Sequence, residues 1–431
     1  MDHRLLSRVG GFAIAAVTVA GCSSPVNSPA APDLSSSTAT PAATSAPAPA
    51  ATAAAHGVEG TIKDVPWSKV GPGWTLAAWS PVTPHMPGEQ PAPGEPDPET
   101  AATTLYLVDP AGNRYAISTF AGADARLRLA DWSGDGSHAL FVSSEYPESS
   151  KVISVDLHTG AQTTIPVKGY PRYTRPDGKA LLVSTEFNGN EPGTLKRIDF
   201  DGNVQMKYPT EDLGGAGQFS GRYLASPDGT QLVLGTANLG NELVPRSDDS
   251  LVVVGNDGTM IRTISTPMKN ADCSPVRWWA PTVVLASCTA EHSSASQLWK
   301  VPIDGGAPTA LTAVNSGQGN DPGFGGDTRD SNAWHLPSGT FLQSLGACGT
   351  VFMSRLTPDG HTTRVNVPGV SDSVVVTGAT GDKLVLQAQV GCGGTTSLLT
   401  YDPATNTSTV LLGPPVNGGG VTEAILFLEG K

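Results

Sequence analysis

The chain has 431 residues, including 50 glycines and 36 prolines, and a formal net charge of −13. That balance excludes generic nucleic-acid or polybasic membrane binding, since both need clustered Lys and Arg to neutralise phosphate. The Gly and Pro content suits many short strands and turns, and no long amphipathic helical pattern follows residue 21, so an all-β fold is expected.

Residues 1–21 open with Arg4 and Arg8 and continue into an apolar stretch from Val9 to Ala20. It is too short to span a bilayer as a permanent helix and has the make-up of a secretory signal. It ends in Val19-Ala20-Gly21-Cys22, which resembles the bacterial lipoprotein box: an aliphatic residue, two small residues and the lipid-accepting cysteine. The resemblance implies cleavage before Cys22, diacylglycerol attachment to it, and a mature protein on the outer face of the cytoplasmic membrane. An ordinary signal peptide with a chance cysteine is the alternative. Two acyl chains anchor stably where one is marginal. From Cys22 to residue 56 the chain is almost wholly Ser, Ala, Pro and Thr, a composition that cannot bury a core and predicts a disordered tether.

Residues 57–431 are expected to form one domain built on a repeated phrase. Its clearest copy is Asp131 to Val142 (DWSGDGSHALFV). Weaker copies run from Thr174 (TRPDGKALLV), Ala225 (ASPDGTQLVL), Trp279 (WAPTVVLA), His335 (HLPSGTFL) and Gly378 (GATGDKLVL). Each has an apolar lead-in, a tight turn and an alternating apolar run, the pattern of two antiparallel strands. Between the copies lie seven further strand pairs, beginning near Thr104, Val152, Leu195, Leu251, Leu298, Val351 and Leu398. A phrase plus a pair makes one four-stranded unit, and a period of roughly 40 to 50 residues predicts a closed array of such units.

The count predicts a seven-bladed β-propeller, with six or eight blades following from one misread unit. The first blade has only one strand of its phrase, Trp74 to Ser80, while Val421 to Leu428 (VTEAILFL) has no partner, so the last strand is expected to complete the first blade and close the ring. The phrase resembles that of TolB-type propellers, an apolar-W-S-P-D-G-apolar pattern, most specifically in blades two to four. Trp279-Ala280-Pro281-Thr282 and Thr380-Gly381-Asp382 depart from it. With the Ala/Gly/Pro-rich composition, the chain resembles an actinobacterial (mycobacterial-type) lipoprotein.

Four cysteines besides Cys22 fit two disulfides in an exported domain. Cys273 is placed just before the first strand of blade five and Cys288 just after the second; Cys348 and Cys392 follow the second strands of blades six and seven. Register therefore predicts Cys273 with Cys288 and Cys348 with Cys392. No C-x-x-C knuckle points to a metal, and no cofactor is expected.

Signatures of catalysis are sparse. Gly217-Gln218-Phe219-Ser220-Gly221 has its serine one place late for a nucleophile elbow, and no H-E-x-x-H occurs. Asp131 to Gly136 mimics the start of a calcium loop but places Val142 at the twelfth position. One constellation stands out: Arg128, Arg172 and Arg277 precede the aromatic position of their phrases by even offsets, and Tyr223 has the matching place in blade four. They form either a cationic, partly aromatic site for a carboxylate or phosphate at the funnel mouth, or ties to rim carboxylates such as Asp131 and Asp272 that hold blades together. Two long segments, the proline-rich acidic insert 81–102 and the loop 314–332, are the candidate contacts for an envelope protein or glycan. The expected function is thus a membrane-anchored, non-catalytic binding or scaffolding propeller, with a hydrolase or lyase acting on an envelope glycan or small anion as the alternative.

Overall fold

The computed structural model describes residues 57–427 apart from 86–87, 91–92, 144–150, 189–190, 212, 214–216, 238–249, 266–267, 269–270, 291–294, 320–322, 347–349, 372, 391–394 and 415–418. The alternating runs of the sequence are strands. The first sheet takes β1 (Glu59–Thr61), β2 (Thr75–Ser80), β3 (Thr103–Val108) and β4 (Arg114–Phe120). Blade two is β5 (Arg128–Trp132), β6 (His138–Val142), β7 (Val152–Asp156) and β8 (Gln162–Ile165). Blade three is β9 (Tyr170–Tyr173), β10 (Leu181–Ser184), β11 (Leu195–Ile198) and β12 (Val204–Lys207). Blade four is β13 (Gln218–Ala225), β14 (Gln231–Ala237), β15 (Ser250–Gly255) and β16 (Met260–Ser265). Blade five is β17 (Ala271–Ala280), β18 (Val283–Ala290), β19 (Ser296–Pro302) and β20 (Thr309–Ala310). Blade six is β21 (Arg329–Leu336), β22 (Gly339–Leu345), β23 (Val351–Leu356) and β24 (Thr362–Arg364). Blade seven is β25 (Ser373–Thr380), β26 (Lys383–Gln389), β27 (Thr395–Asp402) and β28 (Thr407–Leu412), and β29 (Gly420–Leu426) returns to the first sheet.

The protein is an all-β, seven-bladed propeller closed by its C-terminal strand. The first sheet has the order β1-β4-β3-β2-β29, and β29 runs antiparallel to β2 with Leu76 opposite Ile425 and Ala77 opposite Ala424. Two details differ from the sequence reading. An earlier strand, β1, adds to the outer edge of blade one parallel to β4, which three residues of mixed polarity did not announce. Cys273 and Cys288 lie inside β17 and β18 rather than beyond their ends, because these strands run to ten and eight residues.

The hydrophobic core sits between the sheets. Each blade packs both faces on neighbours, so the second strands read as continuous apolar runs; Ala139, Leu140 and Phe141 of β6 are all fully buried. The outermost strands face solvent and are polar, as in β8 (QTTI). Seven apolar clusters result, each drawn mainly from two adjacent blades. The cluster between blades one and two contains Leu76, Phe120, Trp132 and Phe141, and that between blades five and six Leu285, Leu298, Ala333 and Leu342. The phrase also explains its own decay. In blades two to four its aspartate caps a wide turn, with Asp135 accepting from Ser133 Oγ (2.7 Å) and Ser137 N (3.0 Å), and Asp228 accepting from Ser226 Oγ (2.5 Å) and Thr230 N (3.1 Å). In blades five to seven the paired strands leave only Pro281-Thr282, Pro337-Ser338 and Gly381-Asp382 between them, so no such cap is required.

Antiparallel order puts the two kinds of connection on opposite faces. One face carries the turns inside each strand pair. The other carries the longer links from second to third strand and from blade to blade, including 81–102 and the described parts of 314–332. The chain enters on the turn face, where Val58 N donates to Asn113 Oδ1 (2.9 Å) and Arg114 N to Val58 O (3.0 Å).

Candidate functional site

The first strands of the blades form the inner ring: β29 approaches β5, β5 approaches β9, and β13, β17, β21 and β25 follow in turn. The residues singled out by spacing all lie on these strands, but they turn to different neighbours. Arg128, at the start of β5, is exposed and donates from Nε to Glu423 Oε1 of β29 (2.8 Å); Leu129 N donates to the other oxygen of Glu423. The pair ties the closing strand to blade two. Burial raises the proton affinity of Glu423, and the Arg128 charge opposes that shift.

Arg172 and Tyr223 are brought together across blades three and four. The Tyr223 hydroxyl donates to Leu182 O (3.2 Å), and burial holds its phenol well above the ordinary range while the Arg172 charge pulls it back. Arg172 is exposed and makes no ion pair with another described residue. Arg277 turns the other way. Its guanidinium lies 5.1 Å over the Trp334 ring, Nη1 donates to Ala333 O (3.3 Å), and burial pushes its pKa down to about 10.

The carboxylate tie expected at Asp131 is made by a different arginine. Asp131 is 5% exposed and accepts from Arg175 Nη2 (2.8 Å), Tyr173 N (2.8 Å) and Trp132 N (2.9 Å). Arg175 also donates to Trp132 O (2.8 Å), clamping blade three to blade two. At the mouth between blades three and five, a cleft of about 270 Å³ is lined by Ser220, Arg222, Glu186 and Asp272, and Arg222 is 2.9 Å from Glu186. A wider groove of about 970 Å³ lies on the turn face between blades three and four, beside Lys179, Arg197, Asp228 and Asp257.

The two long segments are folded on themselves. In the acidic insert, Glu95 accepts from His85 Nε2 (2.8 Å) and Thr83 N (2.9 Å), and Glu99 pairs with Arg126. In the second segment, Asn315 Nδ2 donates to Asp327 Oδ2 (3.0 Å) and Gly325 N to Asp327 Oδ1 (2.8 Å). Asp330, in β21, accepts from Ser344 Oγ (2.7 Å), whose hydroxyl meets Ser354 Oγ at 2.8 Å. Asp327 and Asp330 are hydrogen-bonded to each other and buried, at 1% and 5% exposure. Sequence reasoning picked out the loop but missed this pair, because nothing in the spacing Asp327-Thr328-Arg329-Asp330 marks both side chains as buried.

Among the described residues no group of three His, Cys, Asp or Glu is placed to hold a metal. Asp131 and Asp135, which open the calcium-loop mimic, are engaged in the blade tie and the turn cap. Cys273 and Cys288 form a disulfide between directly paired residues of β17 and β18. Cys22, Cys348 and Cys392 lie outside the described residues.

No family model matches this chain, and no curated protein does. Among solved structures it is similar to TolB from Acinetobacter baumannii, with 23% identity and a TM-score of 0.34 over 54% of this chain and 62% of that one. Similarity extends to the β-propeller domain of the Trilobed protease from Pyrococcus furiosus (12% identity, TM-score 0.44, 78% of this chain and 98% of that one). It also extends to prolyl oligopeptidase B from Galerina marginata, at 12% identity and a TM-score of 0.46 over 72% of this chain. The match spans 46% of that protein's length. The architecture stands on the sheet order described above.

Proposed function

We propose that the protein is a lipid-anchored binding or scaffolding propeller of the cell envelope, held by Cys22 and a tether over residues 22–56, and that it binds through its loop-bearing face. The observation that supports this reading is that both long segments, 81–102 and the described parts of 314–332, emerge from one face, opposite the short turns. That face offers both segments to an envelope protein or glycan. The engaged state of Arg128, Arg175 and Arg222, each on a carboxylate, supports binding and scaffolding over acid–base catalysis.

Cys22→Ala should release the protein from the membrane fraction or leave it unprocessed; detergent partitioning identical to wild type overturns the anchor. A photocrosslinker at Gln90 or Gln318 should capture an envelope partner in intact cells, and one at Thr405 on the turn face should not. Equal capture from both faces overturns the assignment of binding to the loop-bearing face.

A further inference from the structure

We propose that Asp327 and Asp330 form a proton-operated latch: one proton shared between the two carboxyls holds residues 314–319 and 323–328 against blade six, and its loss releases them. The geometry carries the inference. Asp330 is fixed to β22 through Ser344, and Ser344 to β23 through Ser354. Asp327 is fixed to the incoming segment through Asn315 Nδ2 and Gly325 N. Asn315 is itself 2% exposed and exchanges backbone hydrogen bonds with Ser296 of β19, at 2.7 and 3.0 Å. The contact between the carboxyls is the titratable part of blade six's grip on the segment, beside Thr328 N and Oγ1 on Leu345 O (2.7 and 2.9 Å) and Thr362 Oγ1 on Gly323 O (3.5 Å).

Two buried carboxylates in contact cannot both be ionised without a countercharge, so one keeps its proton. Among the described residues, the elements packed against the pair do not supply that countercharge. β17 brings Asp272 and Arg277, the latter spent on Ala333 and Trp334; β18 brings only the disulfide-bonded Cys288; β19 brings Lys300. β22 and β25 have no titratable group. In blade six, Arg355 bonds Ser338 O, Arg364 lies over Phe352, His335 meets Thr340, Arg329 is exposed, and in the turn whose Gly360 O accepts from Ala313 N, His361 lies 3.9 Å from Asp359. Burial first and then the Asp327 carboxyl push Asp330 up to about 7 from 3.8, against the Ser344 hydroxyl, whose hydrogen bond favours the ionised form. Asp327 is raised as well, by burial first.

The sign follows from linkage. The closed state binds the proton more tightly than the open one, so the stabilisation is whole below the ordinary carboxylate range, falls as pH rises, and is gone above about 7. Acid closes the latch and neutral pH loosens it.

Hydrogen–deuterium exchange on the full chain, in the presence of EDTA and corrected for intrinsic rates, reads this directly. Protection of peptides covering 314–319 and 323–330 should fall by about tenfold per pH unit between about pH 5 and 7 and then level off. Asp330→Asn, which keeps a donor between the two groups at every pH, should make that protection flat while peptides of blades one to three stay as in wild type. Asp327→Asn serves as the second variant should Asp330→Asn fail to fold. Wild-type protection that does not change with pH, or the same pH dependence in a folded Asn variant, overturns the latch.

Discussion

The boundary between blades one and two and the boundary between blades five and six are built on opposite principles. The first buries sixteen apolar residues, with Phe120 against Phe141 at 4.4 Å and Trp132 edge-on to Phe427 at 4.9 Å. The second buries four, and surrounds them with a guanidinium over Trp334, the Trp279 and His335 rings 6.0 Å apart, and the Asp327–Asp330 pair. The ring is thus sealed by the hydrophobic effect beside the sheet that β29 closes, and by directional, charge-dependent contacts on its other side. Apolar burial is insensitive to pH and hard to open locally, whereas a seam of polar contacts opens at lower cost and answers to protons.

Removing residues 420–431 attacks the first boundary at its source and should have the largest effect. It strips β29 from β2 and exposes Leu76, Ala77 and Trp132, which meet Ile425, Ala424 and Phe427 in the intact ring. At about 1.5 to 3 kcal/mol for each large apolar side chain exposed, the loss approaches a typical domain stability, so the truncated chain should aggregate or lose its cooperative melt. A wild-type melting temperature would mean that β29 does not close the ring.

A smaller effect is expected from Phe141→Ala, which leaves a cavity within the same seam. Unfolding in urea should show a loss of about 3 to 5 kcal/mol. Smaller still is Arg277→Ala at the sparse seam. It removes a partly desolvated cation–π contact and one hydrogen bond, together worth about 1 to 3 kcal/mol. A larger loss for Arg277→Ala than for Phe141→Ala would reverse the contrast between the two boundaries.

Much of this architecture is legible in the chain. The apolar run of His138 to Val142 and the turn at Ser133 to Gly136 announce a strand pair unaided, and the unpartnered apolar run at Val421 points to closure by simple count. The short β1 escapes, since Glu59-Gly60-Thr61 takes its conformation from β4 and not from any pattern of its own. The candidate site is harder to read. Even spacing placed Arg128, Arg172, Tyr223 and Arg277 on inner strands, but the partner of each lies on a neighbouring blade, some of them far off in sequence: Arg128 and Glu423 are 295 residues apart.

What the sequence determined by itself is the repeat, and with it the strand order, the blade number and the face on which each loop emerges, because strand alternation and turn chemistry act over a few residues. The register of one blade against the next belongs to the tertiary structure. It made Arg175, and not Arg128, the partner of Asp131, and it buried Asp327 beside Asp330 with no ion pair to a cation among the described residues. Those pairings depend on which side chains meet in low dielectric across a seam, and burial of that kind is a property of the closed ring and of no segment within it.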